Sequence, residues 1–429
     1  MENKIYFINF IFILLVIYLP ISEQFEKKNS KLKELNNKKE NKFSNKRKTD
    51  SSNDYQPIRI LFVDTFIRNV GSNYPVQYYI DSFDRVKNII PRLIEVIPMN
   101  GPIKIPFSTH PYLGNNTIND NLQQGTYNYD LIILPTVNLN SDNSEWTTSV
   151  LVRDDTTGRP IVGTFEICFK QKRPANYEYY LDYLMIHHVF HILGFSYSSF
   201  KYFKNGEQNV YKNGSDIYDG LTRNYIIIPE VLKFAEKYFG CKDEAIINKG
   251  IPLENQEENN GIAHWESRVL LGEIMSSHSY IEDLVISEFT LLLLQASGWY
   301  NINYYTGGLM RFGKNKGCDF LTDKCNKKYK NEFYDFNISE PNYPTCSPGR
   351  LGRGKIIFNT IAKRPFLHYN QNYGSNAILA DYCLISETDS EDIIENFLSG
   401  SCKRGNSNYS HNYFYDGNIK RDYLSSYLN

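Results

Sequence analysis

The run His187-His188-Val189-Phe190-His191-Ile192-Leu193-Gly194-Phe195 limits what this chain can fold into more than any other stretch. Histidines four residues apart lie one turn apart on one face of an α-helix, where both imidazoles reach a single metal ion. The bland alternative is a partly buried helix that carries histidines and no metal. Gly194 favours the metal. A glycine three residues past His191 permits the left-handed turn that ends a helix, and the chain then swings back to supply a third ligand. That ligand is expected to be a downstream histidine.

The zincin pattern H-E-x-x-H places a glutamate directly after the first histidine, as the base that activates a zinc-bound water. Here His188 occupies that position. The metal-binding half of the signal is kept and the chemical half is changed.

A chain of 429 residues is long enough for two or three domains. The formal net charge of -1 implies no globally electrostatic partner, and nucleic acid is not expected. Residues 1–22 read as a secretion signal, with Lys4 before the apolar stretch Ile5 to Leu19. The alternative is an uncleaved membrane anchor, and a membrane is expected as a partner only in that case. Seven cysteines follow, Cys168, Cys241, Cys318, Cys325, Cys346, Cys383 and Cys402. None forms a Cys-x-x-Cys pair, which argues against a sulfur-ligated zinc site and for disulfides, mostly in the C-terminal third. Connectivity is not legible. Sequons at Asn115, Asn213, Asn337 and Asn408 fit the secretory route, so the protein is expected to be secreted or on the cell surface.

Residues 23–56 form a basic segment, in which ten lysines and arginines face four glutamates between Glu23 and Lys48. Too little apolar surface is present to fold it, so it reads as a linker or short pro-segment with Lys46-Arg47-Lys48 as a processing site. Folded structure is expected from Pro57. Ile58 to Val63, Tyr129 to Leu134 and Pro160 to Cys168 read as strands, and Asp81 to Val96 as a helix. The histidine helix is expected over Tyr177 to Leu193, with further helices from Pro229 to Phe239 and from Leu284 to Trp299. Strands leading into a ligand-bearing helix suggest an α/β layer with the site at one sheet edge. Residues 57–200, 201–310 and 311–429 read as successive regions, the last rich in Gly, Pro, Asn and Tyr.

The expected third histidine is His264, in Gly261-Ile262-Ala263-His264-Trp265-Glu266, which lies 73 residues after His191 and is followed by Gly272-Glu273-Ile274-Met275-Ser276. A methionine shortly after the third histidine resembles the Met-turn of metzincins. Ordinary metzincins place the third histidine six residues after the second, whereas a long insert intervenes here. That insert, the His-Trp-Glu motif and the Met-turn together resemble the leishmanolysin-type metallopeptidases. Further matches are Asp154 with Gly158 to Gly163, Leu193-Gly194-Phe195-Ser196, Phe239-Gly240-Cys241, Pro252 to Asn255, Ser297 to Tyr300 and Gly317 to Leu321.

The resemblance implies an α+β or α/β fold. Its parts would be a metzincin catalytic domain with a twisted sheet and zinc helix, and a loop-rich, disulfide-held C-terminal domain. It implies one Zn²⁺ held by His187, His191 and His264 plus water, with Met275 and Gly194 as structural support. It implies hydrolysis of protein or peptide substrates. His188 departs from the family where the general base should stand, so impaired peptidase activity is expected. The alternative is an inactive zinc-binding homologue acting in binding or cell adhesion. No cysteine precedes Cys168, so a cysteine-switch pro-segment is not available.

Overall fold

Strand-forming apolar runs and amphipathic helices alternate through the first half of the chain. A computed structural model describes residues 54–70, 76–106, 120–138, 146–168, 177–215, 222–254, 263–277, 284–303, 310–325, 329, 332–334, 343–346, 348, 353–356, 374–375 and 377–387. The expected secretion signal and most of the basic segment lie outside the described residues, as do the sequons at Asn115, Asn337 and Asn408. Two units divide the chain, Met1–Tyr55 and Gln56–Asn429, and every element named below belongs to the second.

In chain order these are β1 (Gln56–Pro57), β2 (Ile60–Phe62), α1 (Val76–Leu93), β3 (Ile94–Val96), β4 (Leu131–Asn138), β5 (Thr147–Arg153), β6 (Pro160–Cys168), α2 (Tyr177–Leu193), β7 (Tyr211–Ser215) and β8 (Thr222–Ile226). They continue with α3 (Pro229–Phe239), β9 (Ile251–Pro252), α4 (Ser267–Leu270), α5 (Glu288–Ala296), β10 (Tyr300–Ile302), β11 (Tyr343–Cys346), β12 (Arg353–Ile356) and β13 (Ser386–Glu387). The fold is thus mixed α and β.

The sheet beside the histidine helix runs β2-β4-β6-β5. Its first three strands are parallel and β5 is antiparallel to β6. Leu131 to Leu134 of β4 are all fully buried, as suits a strand covered on both faces. Alternation then divides the core. Leu131, Ile133, Phe165 and Ile167 join the α1 and α2 side, while Ile132, Leu134 and Val162 pack with Ile103, Ile105 and Leu122 on the other. Gly163 lets α2 sit close on β6, because a Cβ there would lie 2.5 Å from Ile192 Cγ2.

The strand at 160–168 and the helix at 177–193 form over the expected residues. The helix expected over Asp81 to Val96 is displaced. It starts at Val76 and stops at Leu93, and Ile94–Val96 instead pairs antiparallel with β1 and β10. Continued apolar spacing in 89–96 cannot reveal a partner strand some 200 residues away. The helix expected from Leu284 is shortened in the same way, because Val285 is bridged to Glu273 before α5 begins at Glu288.

Of two disulfides, Cys241–Cys318 ties the C-terminal region to the rest and Cys325–Cys383 closes a loop within it. The side chains of Cys168, Cys346 and Cys402 lie outside the described residues. A buried charge cluster makes the same connection. Arg223 of β8 donates to Glu266 at 3.0 Å and to Asp381 at 3.1 Å, and Arg268 Nε lies 3.7 Å from Asp381. All four side chains are 0–1% exposed. Burial, with Asp381 beside it, pushes the Glu266 carboxyl up to about 8, while Arg223 and Arg268 oppose the shift. No helix among the described residues is long and apolar enough to cross a membrane.

Candidate metal centre

The helix α2 owes its position to a nearly continuous apolar surface, with Leu181, Met185, Ile186, Val189, Phe190, Ile192 and Leu193 all buried. His187 and His191 share one face of it. Gly194 takes φ +138°, which a side chain rarely adopts, and its position is crowded by the Trp299 ring at 3.1 Å from a Cβ. The reversal it permits brings the Phe195 carbonyl back to His191, whose Nδ1–H donates to it at 2.7 Å.

The third histidine comes from an extended segment stitched between two others. Trp265 bridges Leu253 on one side and Ser276 on the other. Trp265 N–H donates to the Met275 carbonyl at 2.9 Å, and Glu254 N–H donates to the His264 carbonyl at 2.9 Å. Met275 is fully buried. The turn that carries it presents the Ile274 carbonyl to His187, whose Nδ1–H donates at 2.6 Å.

These constraints bring the three Nε2 atoms together. His187 and His191 are 2.9 Å apart, and each lies 3.0 Å from His264. Among the described residues, the histidine, cysteine and acidic side chains close enough to share one ion are these three. Their chemistry fits a cation. A carbonyl only accepts, so Nδ1 carries the proton in His187 and His191, and Nε2 presents a lone pair. Burial, with His264 adding to it, pushes the His187 imidazolium down to about 3. Burial, then His187 and His264, likewise holds His191 well below its usual range. Neutral rings facing each other through lone pairs at 2.9 Å repel, and a divalent cation among them turns that repulsion into ligation.

His188 does not join this cluster. Its ring is 6% exposed and stacks on Trp146 at 5.2 Å and 22°. Nδ1 lies 2.6 Å from Thr148 Oγ1 on the edge strand β5, and Phe165 flanks the ring at 6.1 Å. Burial, then His187 and His264, holds its pKa well below the usual value. Sequence spacing reveals neither Trp146 nor Thr148 as its neighbours. The short apolar run Val150-Leu151-Val152 was the available signal for β5.

Two histidines on a buried helix, a third from a distant extended segment and a methionine-bearing turn beside them form one cluster in a fold of mixed α and β. The leishmanolysin family model matches residues 85–420, and the chain belongs to that family. It is 33% identical over 172 residues to the ciliated left-right organizer metallopeptidase of Danio rerio, covering 38% of this chain and 27% of that one. It is 28% identical over 224 residues to a leishmanolysin-like peptidase of Caenorhabditis elegans, covering 44% and 33%. A leishmanolysin homolog of Crithidia fasciculata is 27% identical over 216 residues, covering 48% and 31%. The matched part spans about a third of each relative's length. The family is zinc-dependent.

Proposed function

We propose that His187, His191 and His264 hold one zinc ion, and that this chain is a peptidase homologue whose hydrolysis is impaired at His188. The observation that carries the reading is the triangle of Nε2 atoms in which His187 and His191 have Nδ1 fixed by a carbonyl. Three protein ligands leave a position for water, and a bound zinc there supplies a Lewis acid and an acidified water for peptide-bond hydrolysis.

The protein's own groups decide how far that chemistry goes. A base must accept a proton and pass it to the leaving amine. His188 is a poor candidate, because burial and its neighbours disfavour the protonated form that would carry it, and Nδ1 is engaged by Thr148. Among the described residues the edge strand β5 is paired on one side, with β6, and its other side suits an extended peptide added as a further strand. At the limit of no hydrolysis, the same site binds a protein or peptide without cutting it. The two disulfides fit an oxidising compartment, and we place the protein on the secretory route, secreted or at the cell surface.

The test is metal content and proteolysis of the full chain beside its His188→Glu variant. One zinc in each, with hydrolysis of a general protein substrate raised about 10²–10⁴-fold in the variant, supports the reading. Metal-free protein, or chelator-sensitive cleavage as fast in the natural chain as in the variant, overturns it.

A further inference from the structure

Glu273 is fully buried in the turn before Met275, and its carboxylate is surrounded by donors. Met275 N–H donates to Oε2. Oε1 accepts from Ser287 N–H at 3.2 Å, Ser287 Oγ at 2.8 Å and Thr290 Oγ1 at 2.6 Å. The Thr290 hydroxyl in turn accepts from Trp265 Nε1 at 2.9 Å. Four donors meeting at one group need an acceptor-only side chain. An amide would turn N–H toward another N–H or O–H, and an apolar residue would leave all four donors buried and unpaired.

The two ends of this network lie next to two of the three histidines. Ile274, whose carbonyl orients His187, follows Glu273 directly. Trp265, anchored through Thr290, follows His264 directly. Backbone bonds from Ile274 N–H to the Val285 carbonyl and from Val285 N–H to the Gly272 carbonyl close the frame around the turn. We propose that Glu273 is a positioning residue for the metal centre. Its carboxylate fixes the Ile274 carbonyl that orients His187 and, through the Thr290 hydroxyl, the indole beside His264. The inference rests on the reading that the three histidines hold zinc. With both oxygens engaged and no exposed surface, Glu273 has no part in touching substrate.

The experiment measures zinc affinity, by competition with a chromophoric chelator, and the visible spectrum of the cobalt(II)-loaded full chain. It compares wild type with Glu273→Gln, Thr290→Val and Thr290→Ser. Thr290→Val keeps the side-chain shape and removes the relay, while Thr290→Ser keeps the hydroxyl. Zinc binding about 10–100-fold weaker in Glu273→Gln and Thr290→Val, with a shifted cobalt spectrum and wild-type values restored in Thr290→Ser, is the expected result. If Glu273→Gln does not fold, the Thr290 pair decides. A lower melting temperature with unchanged zinc affinity and cobalt spectrum would make the network structural only, and overturns the proposal while leaving the zinc reading intact. Wild-type protein that takes up no zinc overturns both.

Discussion

Among single residues, His187 and His191 have the clearest dependence on pH. In the folded, metal-free protein His187 stays neutral down to about pH 3, because burial and then His264 disfavour its charged form. His191 is shifted in the same direction. In the unfolded chain both titrate near the ordinary value of about 6.5. The unfolded state therefore binds more protons between those limits, and stability falls as pH falls. The contribution is complete above about pH 6.5 and is lost at roughly 1.4 kcal/mol per pH unit per histidine below it. Urea unfolding of chelator-treated protein from pH 7.5 to 5 should show the midpoint dropping. The drop should shrink in His187→Gln. A midpoint that does not move with pH would mean the rings are solvated. These histidines were legible because their spacing and the following glycine are local signals. Thr148, Thr290 and Glu273 were not, since each is a lone polar residue whose partners are set by tertiary packing.

Between elements, the close approach of α2 to β6 decides whether the ligands face the cluster. A Cβ at Gly163 would sit 2.5 Å from Ile192 Cγ2 and 2.9 Å from Cγ1. Those are the stiff, branched atoms of the side chain, which cannot swing away. Gly163→Ala should therefore destabilise the fold by about 1–3 kcal/mol through overpacking. Ile192→Ala alone should cost about 2–5 kcal/mol by leaving a cavity. The double variant should cost less than the sum, because each change relieves the other. Strictly additive losses in denaturant would show that the helix does not rest on Gly163. The same scale explains what sequence reading recovered. β6, α2 and α3 form over their expected residues because each has a self-contained pattern: a strand-forming run, a ligand-bearing helix, and a helix with proline in its first turn and Gly240 in a left-handed turn past its end. β5 and β3 were missed because their identity depends on partners. β5 is defined by pairing with β6, and β3 by lying between β1 and β10.

At the scale of the whole molecule, the C-terminal region contributes a carboxylate to the interior beside the third histidine. Asp381 and Tyr382 take φ +54° and +60°, the left-handed conformation that side chains other than glycine usually avoid. The adjoining Cys383 is bonded to Cys325, and Arg268 donates to the carbonyls of Leu321 and Asp323 in the same neighbourhood at 3.3 Å. Asp381 thus sits between two guanidiniums in a site closed to water. Its removal leaves two buried guanidiniums facing one carboxyl, that of Glu266, and breaking a buried pair in this way costs about 3–5 kcal/mol. The exposed pair of Arg68 and Asp64 provides the contrast. It has a comparable separation of 2.7 Å, but its side chains are 52% and 33% exposed, and water screens such a pair strongly. Asp381→Asn should consequently lower the urea midpoint several times more than Asp64→Asn. The unfolding transition should stay single if the C-terminal region and the sheet beside α2 unfold together. A second, earlier transition in Asp381→Asn would show the C-terminal region detaching first. Equal, small losses in both variants would mean that Asp381 is reached by water and that this region does not bear on the site.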